Sequence, residues 1–259
     1  MEIPQYVFPS GNDELVKLQH VVFQMALAIK SVFDKHHIRY VIEYGSLLGA
    51  VRHGGFIPWD DDFDYVVWED DYERASAALR EELPELYLLH DRESDPNYLY
   101  SFSKVVHLKS EAIEPGFTDN LKYKGVSIDL FKGKIERNNK YARRLFVSSS
   151  HLKSHWHKCI KSKNVKEFIK CLYYSLATVW FGILHSLTPK KSYFHKSPDT
   201  DQYFIPEGEY LPVSNVLFEG VSFPAPHHPE FVLEDRYGKN WKLPPDKIEF
   251  HITEVKWFE

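Results

Sequence analysis

The chain has 259 residues, of which 43% are hydrophobic and 15% aromatic. That composition excludes an intrinsically disordered protein and allows one large or two modest domains around a sizeable core. Two cysteines, Cys159 and Cys171, exclude a disulfide scaffold. The opening MEIPQYVFPSGNDE lacks the basic and apolar regions of a secretory signal, so the expected compartment is the cytoplasm.

Net charge is −5 but unevenly spread. Residues 132–196 hold fifteen Lys and Arg against Glu136 and Glu167, a local +13 that leaves −18 for the rest. The asymmetry predicts a basic face for phosphates, an anionic glycan or a membrane surface, weighed against simple solvated lysine-rich helices. Overall acidity and the lack of a binding motif argue against nucleic acid.

In chain order, Leu15, Leu18, Val22, Met25, Ile29 and Val32 recur at three- and four-residue steps. They predict an amphipathic helix over 13–36, with Asn12 and Asp13 as caps. Residues 39–44 read as a strand broken by Gly45, 46–53 as a short helix ended by Gly54-Gly55, 63–68 as a strand and 70–81 as a helix. Further strands are expected at 98–108 and 125–131, which makes the first part an α/β or α+β domain on a small mixed sheet. Residues 137–187 read as helical throughout. The uncharged stretch 171–187 predicts a buried or interface-lying helix rather than a membrane span. Near the end, a hairpin turns at Glu219-Gly220, and a helix over 229–237 stops at Gly238. The division expected is a catalytic core over 1–136, a basic helical insertion over 137–196 and a segment over 197–259 packing back on the core as one integrated domain.

The informative stretch runs from Gly45-Ser46 to Pro58-Trp59-Asp60-Asp61-Asp62-Phe63-Asp64. Asp62 and Asp64 are two apart at the head of an apolar strand, so both carboxylates leave one face. Such a pair offers hard oxygen ligands to Mg²⁺ or Mn²⁺ and suits an in-line displacement at a phosphate. Gly45-Ser46, between strand and helix, permits close backbone approach to a phosphate, and Arg52 adds a forked donor. Asp129 stands within the apolar strand around Ile128, where a carboxylate is costly unless paired or metal-bound. It completes a triad with Asp62 and Asp64. Asp60 and Asp61 read as capping the loop or binding a group behind the metal rather than ligating it, and Asp60 is the better site candidate because its spacing lets it share the face of the pair.

Gly45-Ser-Leu-Leu-Gly-Ala-Val-Arg52, His53 and Phe56-Ile-Pro-Trp-Asp-Asp-Asp-Phe-Asp64 resemble the signature of the LicD family. His37-Ile38-Arg39-Tyr40 upstream matches as well. Downstream, Lys104, Ile128-Asp129-Leu-Phe131, Phe218-Glu219-Gly220, Pro224-Ala-Pro226, Tyr237-Gly238, Trp241, Pro244-Pro245 and His251 do so too. Tyr44 and Lys132-Gly133 depart from the pattern. The resemblance implies an α+β nucleotidyltransferase (polymerase-beta-like) fold, a mixed sheet with flanking helices plus a helical insertion. It implies transfer of a phospho-alcohol, such as phosphocholine or ribitol phosphate, from a CDP-activated donor to a hydroxyl of a glycan or lipid-linked glycan. CMP would be released, at the inner face of a membrane if the contact there is peripheral. Asp62, Asp64 and Asp129 would hold Mg²⁺ or Mn²⁺, with Asp129 also the base; Gly45 and Ser46 would contact phosphate, and Arg52 and Lys104 would offset its charge. Asp60 and His251 join the substrate site, as does Trp59, a stacking candidate with Trp68 and Trp241. The rival readings are nucleotidyl transfer and a non-catalytic scaffold of a glycan-synthesis complex. His155, His157, Cys159 and Cys171 match no zinc spacing.

Overall fold

The computed structural model describes residues 8, 11–113, 121–138, 141–162, 165–196, 204–245, 248 and 250–259. Two compact units result: one of Met1–Lys134, Lys196–Thr200 and Gly208–Glu259, the other of Ile135–His195 and Asp201–Glu207.

The first unit opens with α1 (Asn12–Lys35), whose buried face carries the periodic residues from Leu15 to Val32 together with Ala26 and Phe33. Its N-cap is Gly11 rather than Asn12 or Asp13; the Asn12 side chain instead accepts the Phe8 amide at 2.9 Å. Next come β1 (Tyr40–Ile42), α2 (Tyr44–His53), β2 (Asp64–Trp68) and, after one 3₁₀ turn, α3 (Tyr72–Glu82). The chain leaves β1 at Tyr44, with φ of 54°, so Gly45 and Ser46 lie inside the first turn of α2 rather than in a turn before it. Three strands follow: β3 (Tyr87–His90), β4 (Ser103–His107) and β5 (Ser110–Ile113). Then β6 (Ser127–Asn138) runs on into the second unit. The expected strand over 98–108 is thus only β4, and β6 stays extended past 131 through residues read as the start of a helix.

The sheet order is β1-β2-β6-β4-β3, with β2 and β6 parallel and the other neighbours antiparallel. One face carries Tyr40, Ile42, Tyr65 and Val67. Tyr40 and Tyr65 pack against Phe33 of α1 at ring separations of 5.2 and 5.9 Å, and the Tyr65 hydroxyl donates to the Ala26 carbonyl at 2.9 Å. Residues directly opposite on neighbouring strands share a face. Asp64, Asp129, Lys104 and His90 therefore form one polar row on the opposite face.

The second unit holds the paired helices α4 (Ala142–Ser162) and α5 (Val165–Leu187), followed by antiparallel β7 (Lys191–Lys196) and β8 (Phe204–Pro206). The helical stretch expected over 137–187 is thus two helices. His157 and Cys159 lie outside the residues whose side chains are described. His155 Nδ1 stands 2.6 Å from the Glu167 carboxylate, which accepts its N–H.

After the short α6 (Glu207–Tyr210), the first unit resumes with β9 (Ser214–Phe218) and β10 (Val221–Ala225), then α7 (Pro229–Tyr237) and β11 (Glu254–Trp257), which pairs with β5. β9 and β10 turn at Glu219-Gly220, both with positive φ, as a two-residue primed turn requires. Phe63 joins Phe218 and Phe223 of this hairpin at 5.1 and 5.7 Å. The turn itself docks on the loop after α2: the Glu219 amide donates to the Gly54 carbonyl at 2.8 Å, and the Phe56 amide to the Glu219 carboxylate at 3.2 Å.

Gly49 sets how closely α2 approaches that loop. A Cβ there would stand 2.4 Å from the Gly55 carbonyl oxygen, a backbone atom with nowhere to go. Gly49→Ala is expected to cost about 1–3 kcal/mol of stability through overpacking, read as a lower midpoint in urea unfolding with an unchanged slope.

Candidate functional site

Asp129, in the middle of the row, pairs with Lys104 at 2.8 Å across the β4–β6 ladder. Lys104 in turn sits in register with His90, which is buried and faces the buried Asp95 at 3.1 Å. Burial holds the His90 imidazole below its ordinary pKa against the pull of Asp95, which favours the neutral ring. The Lys122 and Asn97 backbone amides donate to the Asp95 carboxylate, which stays below the usual carboxylate range. On the other side of Asp129 stands Asp64. It is 8% exposed, and its amide donates to the Ser46 hydroxyl oxygen at 2.8 Å. Beyond it, Glu43 is buried, accepts the Tyr210 hydroxyl at 2.9 Å and faces Arg236 at 3.8 Å.

The Asp-rich loop meets this row from one end. Asp61 is buried and its carboxylate accepts the Ile252 amide at 2.8 Å. His251 Nδ1 stands 3.4 Å from Asp61 and 3.2 Å from Asp62. Hydrogen bonds to Asp61 and then Asp62, against the cost of burial, push the imidazole pKa up to about 11. A cavity of about 400 Å³ is lined by Asp62, Lys104, Asp129 and His251, with the aromatic walls Tyr100 and Phe102.

The structure therefore brings Asp62, Asp129, Lys104 and His251 to one space. Asp64 is in line with Asp129 but buried, and is not part of that lining. The two expected phosphate contacts at the start of α2 have these neighbours. Gly45 faces the Asp60 carboxyl group, which a Cβ would meet at 2.7 Å; Ser46 is bound to the Asp64 amide. Burial, then the charges of Asp62 and Asp61, drive the Asp60 carboxyl well above the usual range. Arg52 and Trp59 belong to a second cavity of about 440 Å³ with Tyr237 and Trp241. There Arg52 donates to the Trp241 and Leu243 carbonyls at 3.0 and 3.2 Å.

Sequence reasoning treated Asp61 as a cap and passed over His90 and Asp95. The signal for Asp61 was its place in the acidic run. His90 and Asp95 become visible only once β3 pairs with β4.

The donor set fits a divalent cation. Asp61, Asp62 and His251 present ligand atoms within 4.8 Å of one another, and both the Asp62 and Asp129 carboxylates already draw a cationic side chain. Carboxylate oxygens suit Mg²⁺ and Mn²⁺, and His251 would join the set only as a neutral ring, after giving up its proton.

A family model described as LicD/FKTN/FKRP, nucleotidyltransferase domain, matches residues 37–191. The chain belongs to the LicD family. It is 27% identical over 240 residues to the lipopolysaccharide cholinephosphotransferase LicD of Haemophilus influenzae, a match covering 86% of this chain and 90% of that protein. An uncharacterized protein of Rickettsia prowazekii is 29% identical over 158 residues, or 49% of this chain and 57% of the other. Human ribitol 5-phosphate transferase FKRP is 44% identical over 48 residues, or 18% of this chain and 10% of that protein. The LicD match takes in Asp62, Asp64, Lys104 and Asp129 and stops short of His251.

The His251 geometry makes a direct prediction. Its folded pKa lies above the unfolded value of about 6.5. The stability it contributes is therefore complete below that value and is lost as pH rises toward 11. A ring-proton NMR titration should show His251 still protonated through neutral pH, and Asp62→Asn should shift its midpoint downward.

Proposed function

We propose that this LicD-family chain is a divalent-metal-dependent transferase built on a nucleotidyltransferase fold. It moves a phospho-alcohol from a CDP-activated donor to a hydroxyl of a glycan or lipid-linked glycan. The observation that carries this reading is the registered row Asp64–Asp129–Lys104, of which Asp129 and Lys104 line one cavity with Asp62. Carboxylates and a lysine converging there suit a reaction in which negative charge builds on phosphoryl oxygens. The names of the relatives agree in reaction type, one moving cholinephosphate and one ribitol 5-phosphate. The lipopolysaccharide of the Haemophilus relative supports a glycan-bearing acceptor.

Asp62, Asp64 and Asp129 would hold Mg²⁺ or Mn²⁺, which when bound supplies Lewis-acid neutralisation of the reacting phosphate. Lys104, at 2.8 Å from Asp129, offsets the charge of the donor diphosphate. Asp129 takes the proton of the acceptor hydroxyl, whose oxygen forms the new bond to the phosphorus bearing the alcohol. The bond from that phosphorus to the bridging oxygen breaks, and CMP leaves with its electron pair. Tyr100 and Phe102 exclude water from one side of the cavity. His251 and the Ile252 amide hold Asp61, and through it the loop that carries Asp62.

CMP release from CDP-choline, CDP-ribitol and CDP-glycerol, each with and without Mg²⁺, tests the proposal. One donor should be turned over with the metal and not after chelation. Asp62→Ala and Asp129→Ala should each lower turnover by about 100-fold or more while keeping a cooperative unfolding transition. Near-normal turnover in either variant refutes the assignment, and CMP found attached to the acceptor would mark nucleotidyl transfer instead.

A further inference from the structure

Among the described residues two helices, α1 and α5, are long and apolar enough to cross a membrane. The apolar face of α1 lies in the core, as its buried residues show. The opposite holds for α5, where only 6% of the apolar window is buried. Val165, Phe168, Ile169, Leu172, Tyr173, Leu176, Val179, Trp180, Ile183 and Leu187 are all exposed, from 49% at Ile183 to 77% at Leu187. At 100° per residue these positions fall within one arc of roughly 140° running the whole length of the helix.

The inward side of α5 is different in kind. Cys171 is buried there, and Tyr174 stacks on His151 and His155 of α4 at 4.9 and 5.4 Å. Gly182 meets Leu145 of α4. Between residues 142 and 191 the only acidic residue is Glu167, and its two oxygens are taken up by His155 at 2.6 Å and Lys170 at 3.0 Å. Basic residues bracket the apolar arc: exposed Lys166 and Lys170 at its start, exposed Lys190 and Lys191 just past its end. Arg144, Lys153 and Lys158 are exposed on α4.

We infer that the outward face of α5 is a docking surface for an anionic phospholipid bilayer, on which the helix lies in the plane of the headgroups. An apolar face of this width with aromatic residues among its members, basic side chains at both ends and no outward acid matches an interfacial amphipathic helix. Trp180, Tyr173 and Phe168 suit the boundary between headgroup and acyl chain. A transmembrane placement is disfavoured by α4, which packs along α5 and carries Ser149, Ser150, Lys153, Ser154 and Lys158. Burying those groups in hydrocarbon would be costly. The surface is independent of the reaction assigned above, since it rests on none of the cavity residues.

The test is flotation of the full chain with vesicles of phosphatidylcholine alone and of phosphatidylcholine with an equal part of phosphatidylglycerol. The chain should float with the anionic vesicles, stay behind with the neutral ones, and be released by high salt. Lys166→Gln and Lys190→Gln should each weaken partition about 5-fold, and Leu176→Glu combined with Val179→Glu by about tenfold or more. Because all four positions are exposed, circular dichroism and the unfolding midpoint should hold. Equal flotation with neutral vesicles, or retention through salt and alkaline carbonate, overturns the inference. So does a dimer that the Leu176→Glu, Val179→Glu variant dissociates while no vesicle binding occurs, because the face would then belong to a second copy.

Discussion

Parallel pairing of β2 with β6 places Asp64 and Asp129 opposite each other on one face of the sheet. Neighbouring strands run about 4.8 Å apart, so two carboxylates so placed repel unless a cation attends them. Lys104, one strand further along, is the attendant the fold supplies. Much of the first unit can be understood as keeping this row in place. α1 and its aromatic partners cover the other face of the sheet. The Ser46 hydroxyl receives the Asp64 amide at the strand's first residue, so the two carboxylates meet at a fixed register.

The Asp-rich loop that joins the row is held from three directions. Gln19 of α1 donates to the Ile57 and Asp60 carbonyls at 3.3 and 2.9 Å. Glu219 grips the preceding residues at Gly54 and Phe56. The Ile252 amide and His251 close on Asp61. Four aspartates within five positions would otherwise spread apart; here each has a different neighbour. Asp60 faces the first turn of α2, Asp61 a backbone amide, Asp62 an imidazole and Asp64 a place in the sheet. One acidic run is thus divided into separate environments, and this division is what makes its members chemically unequal.

Much of this was legible beforehand and some was not, for physical reasons. The three- and four-residue spacing of α1 and the turn at Glu219-Gly220 are local signals, and both elements form where they were expected. The pair Asp62 and Asp64 and the lone Asp129 in an apolar strand pointed to the candidate site because carboxylates in such places need partners; of the three, Asp62 and Asp129 line the cavity. Strands β3, β5 and β11 carry only four residues each, too few for a period of two to stand out. The outer half of β6 carries Lys132, Lys134, Glu136 and Arg137, which hid its extended form. The pairing of His90 with Lys104 depends on strand register. The hold on Asp61 comes from a main-chain amide 191 residues away, a donor present at every non-proline position and so invisible in side-chain chemistry.

That last contact also has a bearing on how the protein is made. The acidic loop leaves the ribosome long before the segment that contains His251 and Ile252. β5 likewise waits for β11, its partner in an antiparallel pair formed by Glu254–Trp257. Until that segment is made, the growing chain carries Asp61 and Asp62 without His251 and the Ile252 amide, and Gln19 alone holds the loop from the N-terminal side. The sheet β1-β2-β6-β4-β3 needs none of these residues, whereas the contacts of Asp61 and Asp62 require residues 251 and 252.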